Sequence, residues 1–182
     1  LLRIVKTPVL VLNSHWRPID NYEALVFPTD FSARSKTALT QAIAFAKSQG
    51  RKLILYHKYQ VDVQAISSLA LSAGFSIRHF QENEIASRKR LAAEWIQEFS
   101  PTGVSIDFFL DPTTDGEIWD SIIRFAALAK APIVIGKIKA RRERDLIGGL
   151  VYKVVQKARV PVFVLHPRDS VQKRASEGLR AI

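Results

Sequence analysis

The chain has 182 residues, 47% of them hydrophobic and 24% charged, which supports one ordinary domain with about thirty residues over for arms or tails and excludes a disordered chain. Twenty-seven basic against 17 acidic residues leave a formal charge of +10, a balance that favours a phosphate-bearing ligand or partner but does not bear on fold. Cysteine is absent, so disulfides and thiolate metal sites are excluded.

In chain order, residues 24–31 form a short apolar run ending in turn residues, which predicts a buried strand. Ala38, Leu39, Ala42, Ile43, Phe45 and Ala46 then share one face of a helix that Ser32 or Ser35 caps and Gly50 ends. Residues 52–57 are a second strand, apolar on both faces, as in a parallel sheet covered on both sides. Residues 62–75 carry a weak helical pattern. A clearer one over 83–99 turns Ile85, Leu91, Ala92, Trp95 and Phe99 inward and leaves Arg88, Lys89 and Arg90 largely wet. A third strand is expected at 104–110, a helix at 115–130 and a fourth strand at 131–136. A basic loop at 137–145, a helix at about 149–158 and a fifth strand at 160–165 complete the pattern. The β-α alternation predicts an α/β fold: a Rossmann-like open five-stranded parallel sheet with helices on both faces. Ligands in such sheets bind beyond the strands' carboxyl ends where the strand order reverses. The loops at 29–34 and 136–148 are therefore the expected site.

The two ends of the pattern repeat each other. Residues 1–12 resemble residues 154–165 at a constant shift, with Pro8, Val9, Val11 and Leu12 identical to Pro161, Val162, Val164 and Leu165. The expectation is that residues 1–14 are the last helix turn and strand of an upstream repeat, 15–22 a linker, 23–167 the domain, and 168–182 a tail. The extra strand is expected at the sheet edge, with residues 8–12 beside 161–165 in a tandem-domain or homodimer pairing that also covers an aggregation-prone edge.

Leu25-Val-Phe-Pro-Thr-Asp-Phe-Ser32, the strand at 53–57, the segment 126–136 that runs from the helix end into the fourth strand, and Gly148-Gly-Leu-Val-Tyr-Lys followed by the strand at 160–165 stand in the order found in universal stress proteins, which the chain resembles over about residues 22–167. The resemblance implies a stress-response binding module, dimeric or tandem, in which some members bind ATP or AMP. It places Asp30, beside Thr29, against the adenosine part. The family's phosphate loop has the form glycine, two residues, glycine, nine residues, glycine, then serine or threonine. Gly136 and Gly149 match that form, with Gly148 alongside, whereas Lys139 replaces the second glycine and Leu150 the hydroxyl residue. Glycine lets backbone amides approach phosphate oxygens at a helix N-terminus. Lys137, Lys139, Arg141, Arg142 and Arg144 crowd this loop, where cationic side chains can take over phosphate contacts.

The site is thus expected to be a degenerate adenine-nucleotide site. One alternative is a structural or dimerisation domain that binds no nucleotide; another is an anion or nucleic-acid binder working through residues 137–144 and 88–90. Asp30 also suits the dipole of the following helix. Its loop lacks the acidic pair of a phosphoacceptor site. No G-x-S-x-G elbow is present, and the histidines at 15, 57, 79 and 166 have no metal-ligand spacing. Binding rather than turnover is expected, with slow nucleotide hydrolysis at most. No apolar run approaches the ~20 residues of a membrane span, and Leu1-Leu2-Arg3-Ile4-Val5 lacks the apolar core and cleavage site of a signal peptide, so a cytoplasmic protein without a membrane partner is expected.

Overall fold

The computed structural model describes residues 8–14, 19, 21–59, 77–113, 116–136 and 149–165. In chain order these form β1 (Val9–Val11), β2 (Ala24–Pro28), α1 (Ala33–Ser48), β3 (Lys52–Lys58), α2 (Ile77–Phe99), β4 (Ile106–Asp111), α3 (Ile118–Leu128), β5 (Ile133–Gly136), α4 (Gly149–Lys157) and β6 (Val162–Leu165). The sheet has six strands in the order β1-β6-β5-β2-β3-β4. Five are mutually parallel, and β1 joins the edge antiparallel to β6.

The alternation of side chains along the strands divides the core into two layers. Leu25 and Phe27 of β2, with Val134 of β5, pack against Leu39, Ala42, Ile43 and Ala46 of α1 and Trp95 of α2. Val26 of β2, with Ile133 and Ile135 of β5, packs on the other face against Ile122 and Ala126 of α3 and Val151 and Val154 of α4. Residues buried on both faces explain why these strands read as continuous apolar runs. Trp95 is buried, and Trp119 is partly buried against the second layer.

Helix ends follow local chemistry. Ser32 caps α1, its hydroxyl accepting from the Ser35 amide at 3.2 Å, an arrangement whose loss costs about 1 kcal/mol. Gly50, at φ +60°, turns the chain out of the helix into β3. α2 starts at Ile77, six residues before the apolar pattern announces it. Arg78, His79, Phe80 and Glu82 in its first turns are exposed, and an Arg78–Glu82 ion pair of 3.0 Å, one helical turn apart, joins those turns. α3 is shorter than expected at both ends, with Lys130 at φ +47° leading into β5. The expected helix at 62–75, the basic loop at 137–145, the tail from residue 168, residues 1–7 and most of the expected linker lie outside the described residues.

Two elements fix where the sheet opens. β2 pairs with β3 on one side and with β5 on the other, so successive crossovers leave it in opposite directions. α1 crosses the end of β5 so closely that a Cβ built on Gly136 would lie 2.4 Å from the Ala38 Cβ. Packing therefore requires glycine at 136 whether or not a ligand does. Ala38 is a rigid neighbour, so Gly136→Ala must push α1 outward. The expected loss is about 1–3 kcal/mol of stability, read as a lower urea midpoint with an unchanged m-value.

Candidate functional site

Beyond the carboxyl ends of β2 and β5 lies a cavity of about 530 Å³, within the size range of small-molecule sites. One wall is the turn from β2 into α1. The Thr29 amide donates to the Tyr56 carbonyl at 2.9 Å and so continues the sheet one residue further. The Thr29 hydroxyl accepts from the Phe31 amide at 3.0 Å and shares a 2.9 Å hydrogen bond with the Ser35 hydroxyl. Asp30 accepts from the Ser32 amide at 2.9 Å. These side-chain turns hold the backbone in a tight reversal.

Phe31 adopts φ +59° in that reversal, a left-handed conformation that costs a side-chain-bearing residue about 1–2 kcal/mol. The ring repays the strain inside an aromatic cluster, with centroids 5.0 Å from Trp95, 5.2 Å from His57 and 5.8 Å from Phe108. Thr29 is left buried and Asp30 exposed at the cavity wall. Partial burial acts to raise the Asp30 carboxyl, but hydrogen bonds from Ser32 and Ser35 outweigh it and hold the group below its ordinary range. Asp30 is an anchored carboxylate, an acceptor for ligand hydroxyl or amino groups.

The floor comes from the end of β3. His57 Nδ1 lies 2.8 Å from the Thr29 carbonyl; a carbonyl only accepts, so Nδ1 carries the proton and donates. Burial pushes the imidazole below its ordinary pKa, and the Arg88 charge adds to that, against the opposing Thr29 hydrogen bond. Lys58 is buried, with Nζ donating to Ser121 Oγ at 2.9 Å and Thr113 Oγ1 at 3.1 Å. Beside it the Tyr56 hydroxyl donates to Asp111 at 2.5 Å. Burial and then the Asp111 carboxylate push the phenol far up, so Tyr56 stays a neutral donor. This network joins the ends of β3 and β4 to the first turn of α3.

The opposite wall is Gly136 at the end of β5 with Leu150 and Val151 from the first turn of α4. Leu150 packs partly buried against the second core layer, so an apolar contact occupies the place where the family pattern has a hydroxyl. Gly149 opens α4, exposed, and a Cβ there would meet nothing within 4 Å among the described residues. The structure thus brings Thr29, Asp30 and Gly136 to one cavity and puts Gly149 next to it. Lys139 and Gly148 lie outside the described residues.

Sequence reasoning missed Lys58, Arg34 and Glu84, and named Arg88 only within a basic run for anion binding; all four line the cavity. Arg88, expected on the wet side of α2, pairs with Glu84 at 3.2 Å over the cavity. The four-residue spacing of that pair was the available signal. For Lys58 it was a charge closing an otherwise apolar strand.

An open, doubly wound α/β sheet with a cleft where strand order reverses is the architecture of the Rossmann-like class. The model described as "Universal stress protein family" matches residues 21–166, and the chain belongs to that family. No curated protein matches it. Among solved structures it is similar to a universal stress protein from Archaeoglobus fulgidus, at 21% identity over 81% of this chain and 94% of that one, with a TM-score of 0.58. It is also similar to UspA from Lactobacillus plantarum, at 17% identity over 81% and 99%, with a TM-score of 0.61. A further structure, from Archaeoglobus fulgidus DSM 4304, aligns at 17% identity and a TM-score of 0.56 over 93% of this chain but 53% of its own. No helix among the described residues is long and apolar enough to cross a membrane.

The His57 environment gives a pH dependence. Its pKa is lowered in the fold, so on acidification the unfolded chain takes up the proton first and stability falls. The contribution is intact above the unfolded pKa of about 6.5 and is lost as pH drops from there toward the folded value. Between pH 7 and pH 5 the urea midpoint of the wild type should fall further than that of His57→Gln. Equal slopes would remove His57 from the account of acid sensitivity.

Proposed function

We propose that the chain is a stress-response binding module whose cavity takes an adenine nucleotide, ATP or AMP, through a site altered on its phosphate side. The observation that carries this reading is the juxtaposition, in one cavity, of an anchored carboxylate after β2 and the start of α4 after β5. Asp30 would receive the hydroxyl or amino groups of the nucleoside. The amides at the start of α4 would meet the phosphates, with Lys139 and its basic neighbours supplying charge where the family pattern has glycine. Leu150 offers no hydroxyl, so one phosphate contact is replaced rather than kept. Similar structures, each under 25% identical, are universal stress proteins in complex with dAMP and with cAMP, which supports an adenine nucleotide as the first ligand class to try.

Binding rather than turnover fits the described lining. Tyr56 is held protonated by burial and Asp111 and offers no base. His57 donates from Nδ1 to the Thr29 carbonyl, which leaves Nε2 as an acceptor for a ligand donor.

Titration calorimetry with ATP and AMP tests the proposal, and both heat and a thermal shift are expected. Asp30→Asn should weaken binding about tenfold, about 1.4 kcal/mol, for loss of a charged acceptor. Gly149→Ala should weaken binding while leaving the melting temperature nearly unchanged, since a Cβ there meets nothing within 4 Å among the described residues. Absence of heat and of any thermal shift at millimolar nucleotide would sink the proposal in favour of a structural domain. Binding shared equally by ATP and inorganic polyphosphate, steeply salt-dependent and indifferent to Asp30→Asn, would assign the ligand to the basic segment at 137–144 instead.

A further inference from the structure

Just past the end of β3, one polar group is buried without a partner. Leu53 and Leu55 pack into the layer under α1 and α2, so His57 and Tyr59, two and four residues beyond Leu55, point to that side as well. The Tyr59 amide donates to the Asp111 carbonyl at 2.9 Å, which ties the residue to the end of β4. Tyr59 is 5% exposed, and its hydroxyl is buried with no hydrogen-bond partner among the described residues. A buried hydroxyl left unpaired works against folding, because unfolding returns it to water. Phenylalanine would fill the same space without that cost. Stability therefore gives no reason for a tyrosine at 59, and the residue lines the cavity. The other such atom among the described residues, the indole nitrogen of Trp119, belongs to a side chain that does not line it.

The neighbours of this hydroxyl suit a polar ligand edge. Burial and then the Glu84 carboxylate push the Tyr59 phenol above its ordinary range, with the Arg88 charge opposing them, so the group is a neutral donor. Glu84 and Arg88 pair at 3.2 Å and keep 36% and 33% of their side-chain surfaces exposed. Both can turn toward a ligand, whereas the strand holds Tyr59 in place. His57 adds an acceptor at Nε2, since Nδ1 donates to the Thr29 carbonyl. Sheet order sets the distance to the other end of the cavity. β3 is two strands from β5, about 10 Å at ordinary strand spacing, and Asp30 after β2 stands between them. A nucleotide whose phosphates meet the start of α4 and whose sugar meets Asp30 presents to Tyr59 the edge of its base farthest from the sugar.

We infer that Tyr59 is a specificity-determining residue of this cavity: its hydroxyl donates to the purine N1 atom, and Glu84 accepts from the amino group beside that nitrogen. The ligand class is then a 6-aminopurine nucleotide, whose acceptor nitrogen adjoins an amino donor. Selection is made by side chains after β3 and on α2, at the end of the cavity away from the phosphates. This inference rests on the nucleotide reading of the cavity and adds to it the residue that chooses the base.

Calorimetric titrations of the wild type and of Tyr59→Phe with AMP and with 1-deaza-AMP, in which a C–H group replaces N1, test the inference. Tyr59→Phe should weaken AMP binding about tenfold. Its urea midpoint should be unchanged or higher, because no hydrogen bond of the folded chain is lost. The wild type should bind 1-deaza-AMP about tenfold more weakly than AMP, and Tyr59→Phe should cost 1-deaza-AMP nothing further. AMP binding undiminished in Tyr59→Phe overturns the inference and leaves the nucleotide reading standing. Equal weakening of both ligands by the substitution, with a lower urea midpoint or without one, also overturns it, since the hydroxyl would then not be reading N1. Absence of AMP binding by the wild type overturns the nucleotide reading and this inference with it.

Discussion

The approach of α1 to the end of β5 governs the rest of the molecule. Ala38 and Gly136 meet where no further carbon atom fits, and this contact sets the helix over the point where β2 is flanked by β3 and β5. Because crossovers leave β2 in opposite directions, the loops after β2 and β5 part there, and a cavity opens between them. The polar groups of the site are arranged around that gap. Thr29 and Asp30 hang from the end of β2, the first turn of α4 faces them, and His57 and Lys58 close the floor from β3.

The turn that carries Asp30 shows how packing supports a binding wall. Its backbone strain sits at Phe31 and is offset by an aromatic cluster buried under α1 and α2. Its polar groups bond among themselves through Thr29, Ser32 and Ser35. The carboxylate therefore stands at the wall without needing a ligand to order it. Behind it, Lys58, Ser121, Thr113, Tyr56 and Asp111 satisfy one another's charges and hydrogen bonds, as polar groups drawn out of water require. The described part of this wall is ordered by its own contacts, which would lower the ordering cost of a ligand at the proposed site.

Much of this was legible in the residues. Apolar runs such as 52–57 and 131–136 announced buried parallel strands, Ser32 and Gly50 marked the ends of α1, and the Pro8 and Pro161 repeat placed an extra strand at the edge. The sheet followed because alternating β and α segments allow few arrangements. The start of α2 was hidden, since residues 77–82 carry no apolar period. Lys58 and Glu84 were overlooked because their places at the cavity depend on what the sheet order and the pitch of α2 bring together. Gly136 read as a phosphate-loop glycine, and the fold gives it a packing reason as well. That second reason means a glycine at this position does not by itself speak for a ligand.

The central claim is that one cavity, walled by Asp30 and the start of α4, is the ligand site of this domain. An amide chemical-shift titration of the 15N-labelled chain with AMP and with ATP reads that cavity residue by residue. Shifts should be concentrated at Thr29, Asp30, His57, Gly136 and residues 149–151, saturating together with one affinity. A spectrum unmoved at millimolar nucleotide, or shifts gathered away from these residues, would contradict the claim.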